Sequence, residues 1–251
     1  MAIEILNAME IAKMRKAGRA AAETLAYVGE RIRPGITTGE IERWVRKDTA
    51  RRGGKPSQLG YKGFPAAVCT SRNETVCHGI PRDDELLVPG DIVNVDVTTN
   101  LDGYHGDTSA TFIIGEAEPE AVGLVEAARR CRDAGIAVVR EGARLGDIGA
   151  AIEEQARRDG VTIVKEFGGH GIGRKMHLDP HVNHTGKRGV GLRLKAGMAI
   201  TIEPMVNQGQ ADVIFLDDGW TVKTADGKLS AQWEHTVIVT ATGYELMTLL
   251  E

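Results

Sequence analysis

Asp96, Asp107, His170, Glu203 and Glu234 are the residues of this sequence best suited to do chemistry. Asp96 interrupts the apolar run Asp91-Ile-Val-Asn-Val-Asp-Val97, and Glu203 interrupts Met198-Ala-Ile-Thr-Ile-Glu-Pro-Met-Val206. An unpaired carboxylate in a buried strand is costly, so a set of them points to bound cations. Four carboxylates and one imidazole suffice for two divalent metals, and paired metals carry out hydrolysis. Asp96 and Asp107 flank Asn100-Leu-Asp-Gly103, a strong turn signal. A simple antiparallel hairpin centred there predicts the two carboxylates directly opposite each other on one face, where like charges repel unless a cation separates them. On their own these two also fit a solvent-facing acidic hairpin. His170 stands in Phe167-Gly-Gly-His-Gly-Ile-Gly173, whose glycines leave an imidazole accessible; alone, it fits a flexible glycine loop equally well. Glu234 opens a strand in Ser230-Ala-Gln-Trp-Glu-His-Thr-Val-Ile-Val239. The stretch between Glu203 and Glu234 holds its own hairpin, Val213 to Leu216 and Trp220 to Lys223 about Asp217-Asp-Gly219, so this second pair cannot be derived as opposed neighbours.

These side chains need elements to position them. Asn7-Ala-Met-Glu10 has capping-box form and opens a helix with apolar residues at Ile11, Met14, Ala21, Leu25, Val28 and Ile32, ended by Pro34-Gly35. Thr37-Thr-Gly-Glu40 starts a second helix running to about Arg52. Strands are expected at Ala66 to Thr70, Thr75 to His78, 91–98 and 104–114, followed by helices over about Glu118 to Val139 and Leu145 to Arg158. From Thr162 the chain again reads as strands and loops. Two helices followed by strands therefore occur twice. Arg33, Gly35, Gly39, Ile41, Arg51 and Gly53 align with Arg140, Gly142, Gly146, Ile148, Arg158 and Gly160 at one offset, and that offset carries Asp96 onto Glu203. Chance similarity between amphipathic segments explains some of these identities, but the coincidence of two carboxylates favours a duplicated α+β fold. One domain spanning 1–251 is expected, with pseudo-symmetric halves of about 1–115 and 116–251.

Bulk properties narrow the function. The chain has 251 residues, 42% of them hydrophobic, which is enough for one sizeable core. A formal net charge of -4 without runs of like charge disfavours nucleic-acid or membrane-surface binding. No apolar run of about 18 residues occurs, and the amino-terminal segment is too mixed in polarity for a secretion signal. Three scattered cysteines, Cys69, Cys77 and Cys131, suit reduced thiols in a cytoplasm. A Cys77–His78 nucleophile is disfavoured because neighbours on a strand point to opposite faces.

The segments Val76-Cys-His-Gly-Ile-Pro81, Asn94-Val-Asp-Val-Thr98, Gly106-Asp-Thr-Ser109, Gly169-His-Gly-Ile-Gly173, His177, Thr201-Ile-Glu-Pro204 and Ser230 to Thr236 resemble those of the type I methionine aminopeptidases. The resemblance covers essentially the whole chain and fills all five ordered ligand positions. It implies the pita-bread fold, an α+β pseudo-twofold duplication with a central antiparallel sheet and helices on its outer face. It also implies that Asp96 chelates one metal, that Asp107 and Glu234 bridge two, and that His170 and Glu203 complete the second. Oxygen-rich ligands with one imidazole favour Mn²⁺, Fe²⁺ or Co²⁺, with Zn²⁺ not excluded by affinity order. By the same resemblance, Glu203 accepts and returns the proton, His177 stabilises the oxyanion, and His78 hydrogen-bonds the scissile or next amide. It further implies that the free α-amine of the substrate binds one metal.

The methionine pocket implied by the resemblance comprises Tyr61, Phe64, Cys69, Met176 and Trp220, with His78 at its rim. Ordinary core packing is the competing reading for these apolar residues. Met176 replaces a common aromatic and Gln58 a common cysteine, so the strictness of selection for methionine is open. Oxygens of Asn73, Thr75 and Ser230 could support a monovalent cation. His181, His184 and His235 receive no role. The implied substrate is the initiator methionine of nascent chains with a small second residue. A cytoplasmic monomer in transient contact with the ribosome is expected, without nucleic-acid specificity or membrane attachment. The competing functions are an Xaa-Pro aminopeptidase or prolidase, disfavoured by the short segment before Ala66, and a non-catalytic pita-bread binding protein, disfavoured by the intact ligand set. A creatinase-like enzyme, which shares the fold without the metals, is disfavoured on the same ground.

Overall fold

The computed structural model describes residues 3–250. Helices α1 (Ala8–Gly29) and α2 (Thr38–Arg51) precede β1 (Lys55–Pro56), a 3-10 turn at Tyr61–Gly63, β2 (Cys69–Arg72), β3 (Thr75–Cys77), β4 (Ile92–Leu101) and β5 (Tyr104–Ile113). Then come α3 (Pro119–Ala137), α4 (Leu145–Asp159), β6 (Thr162–Ile163), β7 (Gly168–Gly171), β8 (Leu178–Asn183), β9 (Ala199–Ile202) and β10 (Met205–Asn207). The chain ends with β11 (Val213–Phe215), β12 (Val222–Thr224), β13 (Ser230–Gln232), β14 (Glu234–Val239) and β15 (Tyr244–Leu246). Both expected capping boxes form: Asn7 and Thr37 accept the N–H groups of Glu10 and Glu40, whose carboxylates reach back to the cap N–H groups. The first helix stops at Gly29 rather than at Pro34, because the Arg31 N–H turns back to the Val28 carbonyl. Ala66–Val68 are buried but form no strand; the Ala67 N–H is satisfied by Glu42 Oε1 at 3.3 Å instead of by a ladder. No helix of the described residues is long and apolar enough to cross a membrane.

The main sheet is antiparallel, in the order β1-β4-β5-β14-β9-β7-β8, with β2 beside β4 and β15 beside β14. Side chains alternate across its strands, and the alternation separates core from site. On β4, Val93, Val95 and Val97 pack with Leu25, Val28, Ile41 and Val45 of α1 and α2, leaving Asn94, Asp96 and Thr98 on the opposite face. On β9 and β14, Ile200, Ile202, Val237 and Val239 pack with Leu124, Ala128, Ile148 and Ile152 of α3 and α4. This is the pita-bread architecture, with helices on one face and the acidic residues on the other.

The β4–β5 hairpin differs from the expected one. Its turn is Asp102-Gly103, with φ of +53° and +79°, and its register pairs Asp96 with Ser109 and Thr98 with Asp107. Positive φ at both central residues is what a tight two-residue hairpin turn requires, and it moves the ladder off the centre assumed from Asn100-Leu-Asp-Gly103. Asp96 and Asp107 are therefore diagonal neighbours on one face rather than directly opposed.

Helix α1 sits directly on β5 at a contact between two glycines. A Cβ on Gly106 would lie 2.4 Å from the Gly18 Cα and 2.4 Å from its nitrogen, so backbone would have to move. Gly106→Ala is expected to lower stability by about 1–3 kcal/mol, the usual cost of overpacking. A shift of the urea midpoint at constant m value measures it.

Candidate metal centre

Five adjacent strands bring the five ligand candidates together. Asp96 lies on β4, Asp107 on β5, Glu234 opens β14, and Glu203 follows β9 directly. His235 pairs with Ile202, so Glu203 and Glu234 occupy the next step of the same ladder; the hairpin between them loops out without breaking this opposition. His170 arrives from β7, whose Gly171 pairs with Ile200 of β9. Ligand atoms of Asp107, His170 and Glu234 all lie within 4.8 Å of one another. His170 Nε2 is 3.5 Å from Glu203 Oε1 and 3.8 Å from Asp107 Oδ2.

The electrostatics are those of a site built for cations. Burial first, then the charges of Asp107 and Glu203, push the Asp96 carboxyl well above its usual range. Glu234 is raised well above its usual value by burial and then by Asp107, Glu203 and Asp96. Burial and then Asp107 raise Glu203 to about 8, and burial raises Asp107 to about 7 against an opposing hydrogen bond from Thr98. His170 is lowered to about 3 by burial and by neighbouring His177, so its imidazole is neutral. Its Nδ1 is 3.0 Å from the Gly171 carbonyl. A carbonyl only accepts, so Nδ1 carries the hydrogen and Nε2 turns a lone pair towards two carboxylates. Glu234 Oε1 is buried and has no hydrogen-bond partner among the described residues. Lone pairs facing lone pairs, with one oxygen orphaned, fit divalent metal ions.

Supporting hydrogen bonds hold this set, and sequence reasoning assigned none of them. Thr98 Oγ1 donates to Asp107 Oδ1 at 2.6 Å, and Thr201 Oγ1 donates to Glu203 Oε1 at 2.7 Å. Both threonines stand two residues from an acidic ligand candidate, hence on its face of the strand, a spacing legible in the sequence. Gln232 Nε2 lies 3.3 Å from Glu203 Oε2. Gln58 Nε2 donates to the Asp96 carbonyl at 2.8 Å and to Oδ1 at 3.2 Å, while its Oε1 accepts from the Thr98 N–H. His184, given no role from sequence, accepts the N–H groups of Gly169 and Glu203 at Nε2, each at 3.3 Å, which ties the β7 and β9 segments together. His235 instead contacts Thr248 Oγ1 at Nδ1, 2.8 Å away, and His181 stands opposite His170 on β8.

The centre opens into a cavity of about 290 Å³ lined by Tyr61, Phe64, Cys69, His78, Met176, His177 and Trp220 together with all five ligand candidates. Gln58, Thr98 and Lys62 complete the lining. The His177 ring is 4.1 Å from His170 and 5.0 Å from Tyr61 between centroids. Burial, with His78 next in weight, lowers His177 to about 4, which makes it a neutral N–H donor. Burial also lowers His78. His78 has φ of +55°, which takes it out of strand geometry and brings its Nδ1 to 3.7 Å from Cys77 Sγ, contrary to the expected divergence. Burial pushes the Cys77 thiol well above its usual value, so it supplies no thiolate.

The sequence pattern described as metallopeptidase family M24 matches residues 12–241. Methionine aminopeptidase A of Synechocystis sp. is 49% identical over 249 residues, 99% of this chain and 98% of that protein. Methionine aminopeptidase of Escherichia coli (strain K12) is 46% identical over 250 residues, 99% of this chain and 95% of that protein. The crystal structure of methionine aminopeptidase from Rickettsia prowazekii superposes with a TM-score of 0.97 at 44% identity, covering 99% of this chain and all of that one.

Proposed function

The chain belongs to metallopeptidase family M24, is a methionine aminopeptidase and uses divalent metal, and we propose that it removes the initiator methionine of nascent chains with a small second residue through two such ions. The convergence of Asp107, His170 and Glu234 within 4.8 Å, beside Asp96 and Glu203, carries this reading. Asp96 would hold one ion, Asp107 and Glu234 would bridge the pair, and His170 with Glu203 would complete the second. The donor set suits Mn²⁺, Fe²⁺ or Co²⁺, with Zn²⁺ compatible. When bound, such ions acidify water and polarise a carbonyl.

The protein's own groups supply the rest. Glu203, held at Oε1 by Thr201 and at Oε2 by Gln232, accepts the proton of the attacking water at a carboxylate oxygen and returns it to the departing amine. His177 donates a neutral imidazole N–H to the oxygen that becomes negative. His78 hydrogen-bonds the scissile or next amide. Tyr61, Phe64, Cys69, Met176 and Trp220 enclose the methionine side chain with apolar and polarizable surface.

The proposal extends to a monovalent cation near Asn73, Thr75 and Ser230, where the Ser230 N–H bonds the Asn73 carbonyl at 2.9 Å. It also extends to a single domain of two duplicated halves, about 1–115 and 116–251, a reading supported by the matching positions of Asp96 and Glu203 on either side of the β5–β14 pair. Because newly made chains are the substrate, we place the monomeric protein in the cytoplasm, in transient contact with the ribosome. The test is metal-stripped protein assayed on Met-Ala-Ser and on Xaa-Pro peptides with single metals added back. Release of methionine from Met-Ala-Ser with at least one metal is expected. Cleavage confined to Xaa-Pro peptides would sink the proposal.

A further inference from the structure

An unbroken line of aromatic rings runs from the back of the pocket to the surface. Phe64, 3% exposed, meets Trp220 at 5.1 Å between centroids, and Trp220 meets His78 at 6.3 Å. His78 meets Phe167 at 5.5 Å, and Phe167 meets Phe215 at 5.9 Å. The His78 imidazole stands edge-on between two of these rings, at 88° to Trp220 and 86° to Phe167. Phe215 is 65% exposed on β11, the outer strand of the sheet β11-β12-β3. A large exposed aromatic linked through Phe167 to a ring that lines the cavity, His78, is a mark of a contact surface.

We infer that Phe167 and Phe215 form a shelf that binds the substrate beyond its second residue and selects for aromatic or large apolar side chains at its third and fourth positions. The inference rests on the methionine-pocket reading above: with the first side chain on the Phe64–Trp220 side and an amide at His78, the chain leaves along Phe167 and Phe215. Two further ring spacings span about three residues of extended peptide. Near Phe215 and Phe167 the acids Asp212, Asp217 and Asp218 outnumber Lys165 and Lys223, the latter already paired with Glu74, so the shelf is a poor match for the phosphates of a nucleic acid and suits an uncharged peptide.

The test compares Met-Ala-Phe-Phe-Ser with Met-Ala-Ser-Ser-Ser in the natural chain, in Phe215→Ser, and in Ile214→Ser, a control at a half-exposed neighbour on the other face of β11. In the natural chain, kcat/KM is expected to favour the aromatic peptide by about three- to tenfold, mostly through KM, the range of an aromatic contact. Phe215→Ser should bring the ratio to about one, and Ile214→Ser should keep it. Reduced-amide (CH2–NH) versions of both peptides, titrated calorimetrically, should give the same ordering in Kd without turnover. Equal affinity of the natural chain for both peptides overturns the shelf, as does an identical ratio in Phe215→Ser. Failure to cleave either peptide while the affinities still differ counts against the hydrolytic reading and not against the shelf.

Discussion

Replacing Glu203 by glutamine is expected to lower kcat on Met-Ala-Ser by about 10²–10⁴-fold, the contribution of one positioned proton-transfer group, with KM changed far less. The substitution keeps the side chain's length and its place beside Thr201, where Glu203 Oε1 accepts at 2.7 Å, but it leaves no oxygen able to take a proton. Gln232 Nε2, now 3.3 Å from a carboxylate oxygen, would face either a retained carbonyl or an amide that also donates. Metal content of the purified variant separates two ways of losing activity. A variant that keeps its metal and loses kcat has lost the proton acceptor, whereas one that loses metal has lost a ligand. Full activity in the variant would remove Glu203 from the mechanism.

The metal-stripped protein is expected to lose stability as the pH rises from about 7 to about 9, with Tm falling on the order of 10 °C. Burial raises Asp107 to about 7 and Glu203 to about 8, and raises Asp96 and Glu234 well above the ordinary carboxylate range. A group whose pKa is higher in the folded state contributes stability that is complete below its unfolded value and lost as pH climbs through the folded one. Ionising these carboxylates without a cation therefore pulls the folded state apart. The buried histidines act in the opposite direction: His170, His184 and His235 are lowered to about 3 and His177 to about 4, so they destabilise the fold only as the pH falls below the ordinary histidine range. Above about pH 7 they are neutral in both states, and the carboxylates govern the trend. Added Mn²⁺ or Co²⁺ displaces the protons and should flatten the profile. Thermal unfolding of stripped and reloaded protein across this range checks it; a stripped protein whose Tm rises with pH would contradict it.

The sequence was readable where local rules decide the outcome. Asn7 and Thr37 announced their helices because a cap and its glutamate are three residues apart. Asp96 and Glu203 stood out because an acid in an apolar strand breaks a short periodic pattern. The β4–β5 register was not readable to the residue, since Asn100-Leu-Asp-Gly103 permits more than one turn and only the positive φ at Asp102 and Gly103 chooses between them. The opposition of Glu203 and Glu234 was hidden by a hairpin that adds length without changing the ladder. The supporting contacts of Gln58, Gln232 and His184 escaped because their partners lie far away in sequence, and neither period nor composition encodes such contacts. Cys77 and His78 met because one left-handed residue cancels the alternation of a strand.

The seam between β5 and β14 sets when this protein can first work. Thr108 Oγ1 bonds the Glu234 carbonyl, and Thr236 bonds the Asp107 backbone, across separations of 126 and 129 residues. Such distant pairings form late, because the entropy of closing the intervening loop must be overcome before any contact rewards it. A growing chain that has delivered α1 through β10 thus holds four of its five ligand candidates yet lacks the strand that closes the site. Its catalytic competence arrives in one step with β14, so a chain cut short before Glu234 has no partial version of the activity to offer.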